Sequence, residues 1–394
     1  MNFRAAYISY ADYGGPLIHT KEFINAFRRF IPDLVTYCPY LDKDLTYVGP
    51  GRETFFNILF SRLPPWSRQL KLEFYQLRKF LRDWAKWPYF KRLYQNHNVD
   101  IIVVRNDAYV VGAIYAANKI SVPYILETNG VLSKDSPDRI SRSFEKYALS
   151  KAAGITAVSS PLAGIWISYG VPRNKIRIVT NGVSLEAFES PDLSVVPKYI
   201  YGKLRDKITI GYVGTFTVNH NVHIVIDAFS KAISLVPNLR LLLLGDGPSV
   251  QEVKEKIKCL EIQDSVIFAG KIPYDHVPAY LNLCQIAASP MRQVYEEGFI
   301  GVPIKMFEYM ASKLPIISTD MPNLRQLLND SAIFASPTSE VEWRDAIITL
   351  AQNDKLRQQK GKEAFEHLIK CGYTWEENAR KVSEFCEDIL SVSI

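Results

Sequence analysis

Lys305 and Glu308, in the stretch GVPIKMFEYMASKLPIISTD of residues 301–320, combine residue types and spacing that suit phosphate and sugar chemistry. Three positions apart on a helix, they lie one turn apart on the same face. A helix starting near Ile304, just after Gly301 and Pro303, would point its unsatisfied N–H groups and positive dipole end at a ligand, which suits a phosphate. Lys305 adds a point charge. Glu308 can accept two hydroxyl hydrogen bonds of the kind a ribose diol offers. The competing reading is a surface ion pair worth roughly a few tenths of a kcal/mol. Against it, the neighbours Met306, Phe307, Tyr309 and Met310 are apolar, and a buried helix makes an unpaired charge costly.

Other strand ends offer glycine. Gly14 and Gly15, in YADYGGPLIHTKEF, fall between a first strand and a first helix, where a missing side chain lets backbone approach a ligand or simply makes a tight turn. Gly214, Thr215 and His220 repeat the arrangement in GYVGTFTVNHNVHIVIDAF. This is not GxGxxG, so a dinucleotide fingerprint fails. Gly245, Asp246 and Gly247 in LLLGDGP read equally well as a turn.

The elements that must position these residues alternate in a βα rhythm. AAYISYA precedes IHTKEFINAFRRF, and DIIVVR precedes VVGAIYAANKI; a second series begins at KITIGYVGTF and runs to LPIISTD. Short apolar runs alternating with helical periods predict parallel sheets. A chain of 394 residues is long for one core, so the expected architecture is α/β with two Rossmann-like, doubly wound domains facing across a cleft, where ligands of such sheets bind. Loop composition in ESPDLSVVPKYIYGKLRDK sets the boundary: an acceptor-side domain over 1–188, a nucleotide-sugar domain over 189–374, and a last helix near 375–394 expected to pack back on the first.

Composition excludes other classes. The hydrophobic fraction of 47% and charged fraction of 22% are globular. No apolar run approaches about 18 residues, and the opening MNFRAAYISYADYGG reads as a strand, so a cytoplasmic location is expected. Cys38, Cys259, Cys284, Cys371 and Cys386 show no CxxC spacing, which argues against a disulfide framework or zinc site. The net charge of +6 is concentrated in residues 62–97, where many Lys and Arg, with Trp66, Trp84 and Trp87, meet only Glu73 and Asp83 as acids. Such a stretch suits an anionic membrane surface; alternatively, its tryptophans pack on the first domain. No nucleic-acid signature accompanies it.

Taken together, DYGGPLIHTKEF, VPYILETNG, AAGITAVSSPLAGIWISYGVPRNKIRIVTNGVSLEAF, GYVGTF, LLLGDGP, VIFAGKIPYDHVPAYL and PIKMFEYMASKLPIIST resemble the retaining GT-B nucleotide-sugar glycosyltransferases of family 4, in the variant of bacterial exopolysaccharide and surface-glycan enzymes. The resemblance covers nearly the whole chain. It implies that Glu308 binds the nucleotide ribose, that the helix start at Ile304 with Lys305 holds the diphosphate, and that Lys271 and Ile272 lie where the base is held. Gly14 and Gly15 would lie against the donor, and Asn181 and Gly182 in the interdomain turn. Three departures stand out. Ile300 occupies the place of a sugar-binding glutamate, for which Glu297 is the substitute candidate. Thr215 and His220 replace the usual Arg and Lys of a phosphate clamp. Glu127 falls where the family has a first-domain histidine, making Glu127 and Asn129 candidates at the reacting face, with Arg105 pairing Glu127 or meeting acceptor charge.

The implied reaction moves a hexose, glucose as best guess, from a UDP-sugar to a glycan or lipid-linked saccharide, without metal or cofactor, with His220 and Lys305 supplying positive charge. The alternative is a non-catalytic GT-B protein that binds nucleotide or a partner. A peripheral position on the inner face of the membrane is the accompanying expectation.

Overall fold

A computed structural model describes residues 3–12, 14–41, 68–106, 110–135, 138–292 and 301–392. Trp66, Glu297 and Ile300 lie outside the described residues. The chain divides into two compact units, Met1–Thr180 with Trp375–Ile394, and Asn181–Thr374. The division thus falls eight residues before the boundary read from loop composition, because residues after Thr180 are tied into the second unit. Asn181 Nδ2 donates to the Val302 carbonyl at 2.5 Å, and Val183 pairs with Thr374.

In the first unit six parallel strands run in the order β2-β1-β3-β4-β5-β6: β1 Ala5–Ile8, β2 Val35–Tyr37, β3 Ile101–Arg105, β4 Tyr124–Thr128, β5 Gly154–Ala157 and β6 Ile176–Ile178. β1, β3, β4 and β5 are buried throughout, as expected where helices cover both faces of a parallel sheet. The principal helices here are α1 (Gly14–Phe27), α2 (Arg68–Trp84), α3 (Trp87–Asn96), α4 (Val111–Lys119), α5 (Arg139–Lys151) and α6 (Ser160–Ser168). Ser159 caps α6 and Asp138 caps α5 through their side chains.

The second unit repeats the plan in the order β12-β11-β10-β7-β8-β9, again all parallel: β7 Ile208–Val213, β8 Leu239–Leu244, β9 Val266–Gly270, β10 Ile286–Ser289, β11 Ile316–Thr319 and β12 Ala332–Ala335. Its core gathers Tyr212, Phe216, Phe229, Leu241, Leu243, Trp343 and Ile347. The helices that matter below are α7 (Val222–Ala232), α8 (Ile304–Ala311), α9 (Glu340–Gln352) and α10 (Asp354–Cys371). The segment read as linker contains a helix, Lys198–Leu204, which buries Ile200 and Leu204 one turn apart; its prolines and charges hid that short period. The last helix, α11 (Trp375–Val392), belongs to the first unit and packs on α1. Gly154 makes room for it: a Cβ there would stand 2.4 Å from the Phe385 ring.

Each sheet has one point where the strand order reverses, between β1 and β3 and between β7 and β10. Ligands of open parallel sheets bind beyond the carboxyl ends of the strands at such points. No disulfide joins any of the five cysteines, and no described helix is long and apolar enough to cross a membrane.

Candidate functional site

The two reversal points carry two clusters of buried charge, one in each unit. In the second unit, β7 ends at Val213 and the chain turns through Gly214 with φ of +149°. A Cβ there would lie 3.0 Å from Lys305 Nζ and 3.3 Å from Tyr212 Oη. Glycine is thus favoured by the backbone, and an added side chain would crowd Lys305. Gly245, after β8, is tighter still: with φ of +133°, its added Cβ would come within 1.9 Å of the Gly214 carbonyl oxygen. LLLGDGP is therefore a turn whose work is to support the Gly214 loop.

α8 follows β10, and its start carries no side-chain cap, leaving first-turn N–H groups for solvent or ligand. Tyr309 anchors the helix across the reversal point. Its Oη accepts from Val213 N at 2.9 Å and donates to the Ala288 carbonyl at 3.2 Å. Lys305 and Glu308 are both buried, at 5% and 3% exposure. Among the described residues Lys305 Nζ has no hydrogen-bond partner; it rests 4.3 Å from the Tyr212 ring centroid, a cation–π seat. Burial pulls its ammonium down to about 7, against the raising influence of Glu308. Tyr212 in turn donates to the Thr215 carbonyl at 3.3 Å.

His220 meets that same carbonyl through Nδ1. A carbonyl only accepts, so Nδ1 carries the hydrogen and Nε2 presents a lone pair. Burial, then the Lys305 charge, press the imidazole down to about 3, against the Thr215 hydrogen bond. This corrects the reading of His220 as a positive group: its imidazole is neutral, and the positive charge comes from Lys305. The sequence reading also missed Arg292, just after β10, whose backbone N donates to Asn219 O at 2.9 Å and whose Nε donates to Asn221 Oδ1 at 3.3 Å. Its place after a strand end at the reversal point was the available signal. Gly301 accepts from Asn323 Nδ2 at 2.9 Å ahead of α8. Lys271 and Ile272 follow β9 two strands from β7, Lys271 exposed and Ile272 half-buried.

In the first unit, Gly14 opens α1 with φ of +57°, Gly15 follows, and α1 carries His19 to Glu127 at the end of β4. The Glu127 carboxylate is surrounded. Tyr7 Oη donates to Oε2 at 2.9 Å; Arg105 Nη1, Asn129 Nδ2 and His19 Nε2 approach Oε1 at 2.7, 3.1 and 2.9 Å. Arg105 and Glu127 are register partners on β3 and β4. Burial alone would raise the carboxyl, but His19 and Arg105, with hydrogen bonds from His19 and Tyr7, bring it down to about 2. A carboxylate so held is a poor general base. Glu127, a candidate at the reacting face, is here an organising anion that fixes Arg105 and accepts from the Asn129 amide nitrogen. His19 and Tyr7 were not singled out from sequence. Among the described residues no cluster of three or more His, Cys, Asp or Glu is arranged to hold a metal.

Two family models divide the chain between them: Glycosyltransferase Family 4 matches residues 13–187, and Glycosyl transferases group 1 matches residues 199–367. The chain belongs to the family 4 GT-B glycosyltransferases. Among its relatives are an alpha-monoglucosyldiacylglycerol synthase of Streptococcus pneumoniae, 26% identical over 202 residues covering 50% of this chain and 44% of that protein, and the capsular polysaccharide biosynthesis glycosyltransferase CapM of Staphylococcus aureus, 24% identical over 254 residues covering 62% and 65%. The chain thus spans about half the length of the curated relatives it matches. Among solved structures, Anabaena HepE in complex with UDP and glucose matches with a TM-score of 0.73 at 14% identity, over 98% of this chain and 100% of that one. Sucrose-phosphate synthase of Thermosynechococcus elongatus matches with a TM-score of 0.70 at 15% identity, over 99% and 100%. These likenesses show the transferase's fold, two Rossmann-like α/β domains.

Proposed function

We propose that this transferase moves a hexose, with glucose as first candidate, from a UDP-sugar to a hydroxyl of a glycan or lipid-linked saccharide in surface-polysaccharide assembly, with retention at the anomeric carbon. The observation that carries the donor reading is Lys305, a buried amine with no hydrogen-bond partner among the described residues, beside an uncapped helix start. A diphosphate supplies what both lack. The choice of UDP and glucose draws on the complex of HepE with UDP and glucose; the choice of surface glycans draws on CapM and on the Bacillus subtilis relative named for teichuronic acid biosynthesis.

In this reading the bond between the anomeric carbon and the diphosphate oxygen breaks while the acceptor oxygen bonds the same carbon from the same face, and the acceptor proton passes to the departing phosphate. Lys305 and the first-turn N–H groups of α8 stabilise charge as it develops on the diphosphate. Glu308 accepts from the ribose hydroxyls, Gly214 lets backbone come close, and Lys271 and Ile272 border the base. Neutral His220 offers Nε2 as an acceptor toward the donor. In the first unit Asn129 meets an acceptor hydroxyl, while Glu127 holds its amide nitrogen. No metal enters the scheme, and the work is done on the cytoplasmic side, peripheral to the inner face of the membrane.

A second reading, a nucleotide-binding protein without transfer, is motivated by neutral His220 and by Thr215 in place of clamp cations. Incubation with UDP-glucose, UDP-galactose and GDP-mannose, each with a lipid-linked saccharide, separates the two: transfer giving an α-linked product from an α-linked donor is expected, and UDP binding without turnover on any acceptor would favour the second. Glu308→Ala should weaken UDP binding by about 1–3 kcal/mol, the loss of charged hydrogen bonds; unchanged affinity would reject the ribose role.

A further inference from the structure

The two sheets differ at their reversal points. In the first, β1 stays paired with β3 through its last residue, Ile8 opposite Val104. In the second, the pairing of β7 with β10 stops at Gly211 opposite Ala287, although β7 runs on to Val213 and β10 to Ser289. Each strand end is held to its outer neighbour instead. Val213 keeps its register with Leu244 on β8, and Ser289 with Ser318 on β11. Beyond Ser289, Thr319 Oγ1 accepts from Met291 N at 2.7 Å and donates to the Met291 carbonyl at 3.2 Å.

Carrying the register of β7 and β10 one step further sets Tyr212 opposite Ala288, and the parallel ladder would then run from Val213 N to the Ala288 carbonyl. Both groups go to one side chain. Tyr309 Oη accepts from the first at 2.9 Å and donates to the second at 3.2 Å, so a hydroxyl stands in the ladder where a direct bond is due. Backbone groups left where strands part need such a partner. The Tyr309 ring is fully buried, and burial pushes the phenol well above its ordinary value, which keeps the hydrogen that it donates. Tyr309 also lies one turn after Lys305 on the same face of α8, and Tyr212, the residue before Val213, carries the ring beneath Lys305.

We infer that Tyr309 is a positioning residue of the donor crevice: its hydroxyl, inserted between β7 and β10, wedges the strand ends apart and fixes α8 so that Lys305 rests over Tyr212 beside Gly214. Filling the core would need only the ring, which phenylalanine supplies. The hydroxyl is needed for the wedge. The inference rests on the reading of this crevice as the nucleotide site and adds what holds it open.

Tyr309→Phe, which removes the hydroxyl and keeps the ring, tests it by titration with UDP. Affinity should fall about tenfold or more in a chain still folded by circular dichroism, as a displaced binding group implies. The fall of UDP affinity above pH about 7 belongs to Lys305, with Glu308, His220 and Tyr212 as the titratable groups around it. In the variant this fall should move to higher pH as Lys305 leaves its buried seat. A second measurement needs no variant: in the wild type the Val213 amide should exchange with solvent as slowly as the paired amides of β7, although β10 has parted from it. A wild type that binds no UDP would strike the donor reading and this role together. Equal UDP affinity and an equal pH profile in wild type and Tyr309→Phe, whatever the change in stability, would overturn the inference alone, as would a freely exchanging Val213 amide.

Discussion

Glu127 and Lys305 are both buried charges at the strand ends of a sheet, yet one is surrounded by four partners and the other has no hydrogen-bond partner among the described residues. Burial acts on both in the same sense, against the charged form. At Glu127 the neighbours overturn it and the carboxyl falls to about 2; at Lys305 burial prevails and the ammonium falls to about 7. A satisfied buried charge is architecture, and an unsatisfied one beside a helix start is a candidate site for an anion.

The comparison breaks most directly at Glu127. Removing it in Glu127→Ala strands Arg105 and should cost about 3–5 kcal/mol of stability, read by denaturant unfolding; activity loss with full stability would return Glu127 to the role of base. Its folded value lies below the ordinary 4.5, so its contribution is present above pH 4.5 and lost as pH falls through about 2. Glu127→Gln should flatten that acid limb.

Gly245→Ala should come next. Its φ of +133° and the 1.9 Å approach of an added Cβ to the Gly214 carbonyl predict a loss of about 1–3 kcal/mol, with UDP affinity lost alongside; a stable variant with normal affinity would show that the loop does not support the cluster. Lys305→Met has the opposite sign. Relieving an unpartnered buried charge should stabilise the empty protein by about 1–3 kcal/mol while removing nucleotide affinity. In the wild type the unfolded chain binds more protons between pH about 7 and 10.5, so stability rises with pH across that window, and the methionine variant should lose this rise.

A finer test uses binding against pH. A phosphate favours the ammonium, so above pH about 7 UDP binding must take up a proton and affinity should fall by up to about tenfold per unit. Lys305→Arg should bind with a flat profile. Tyr212→Leu, which removes the ring beneath Lys305 together with the hydrogen bond to the Thr215 carbonyl, should cost about 0.5–2 kcal/mol of affinity beyond the loss in Tyr212→Phe, which removes the hydrogen bond alone.

Much of this was legible in the sequence. The strands read as apolar runs because parallel sheets bury both faces, and Lys305 with Glu308 announced themselves as charges inside an apolar helix. What escaped needed three dimensions. Tyr7 and His19 meet Glu127 from β1 and α1, more than a hundred residues away, and no local pattern encodes that. The protonation of His220 is set by burial first and then by Lys305, 85 positions on, and together they turn an apparent cation into a neutral acceptor.

The central claim is tested most directly by calorimetric titration of UDP into the wild-type chain and Lys305→Met, in two buffers of different ionisation enthalpy at a pH above 7. Binding to the wild type with uptake of close to one proton, and none detectable to the methionine variant, is the predicted result. UDP binding of equal strength in both proteins, with no proton taken up, would contradict it.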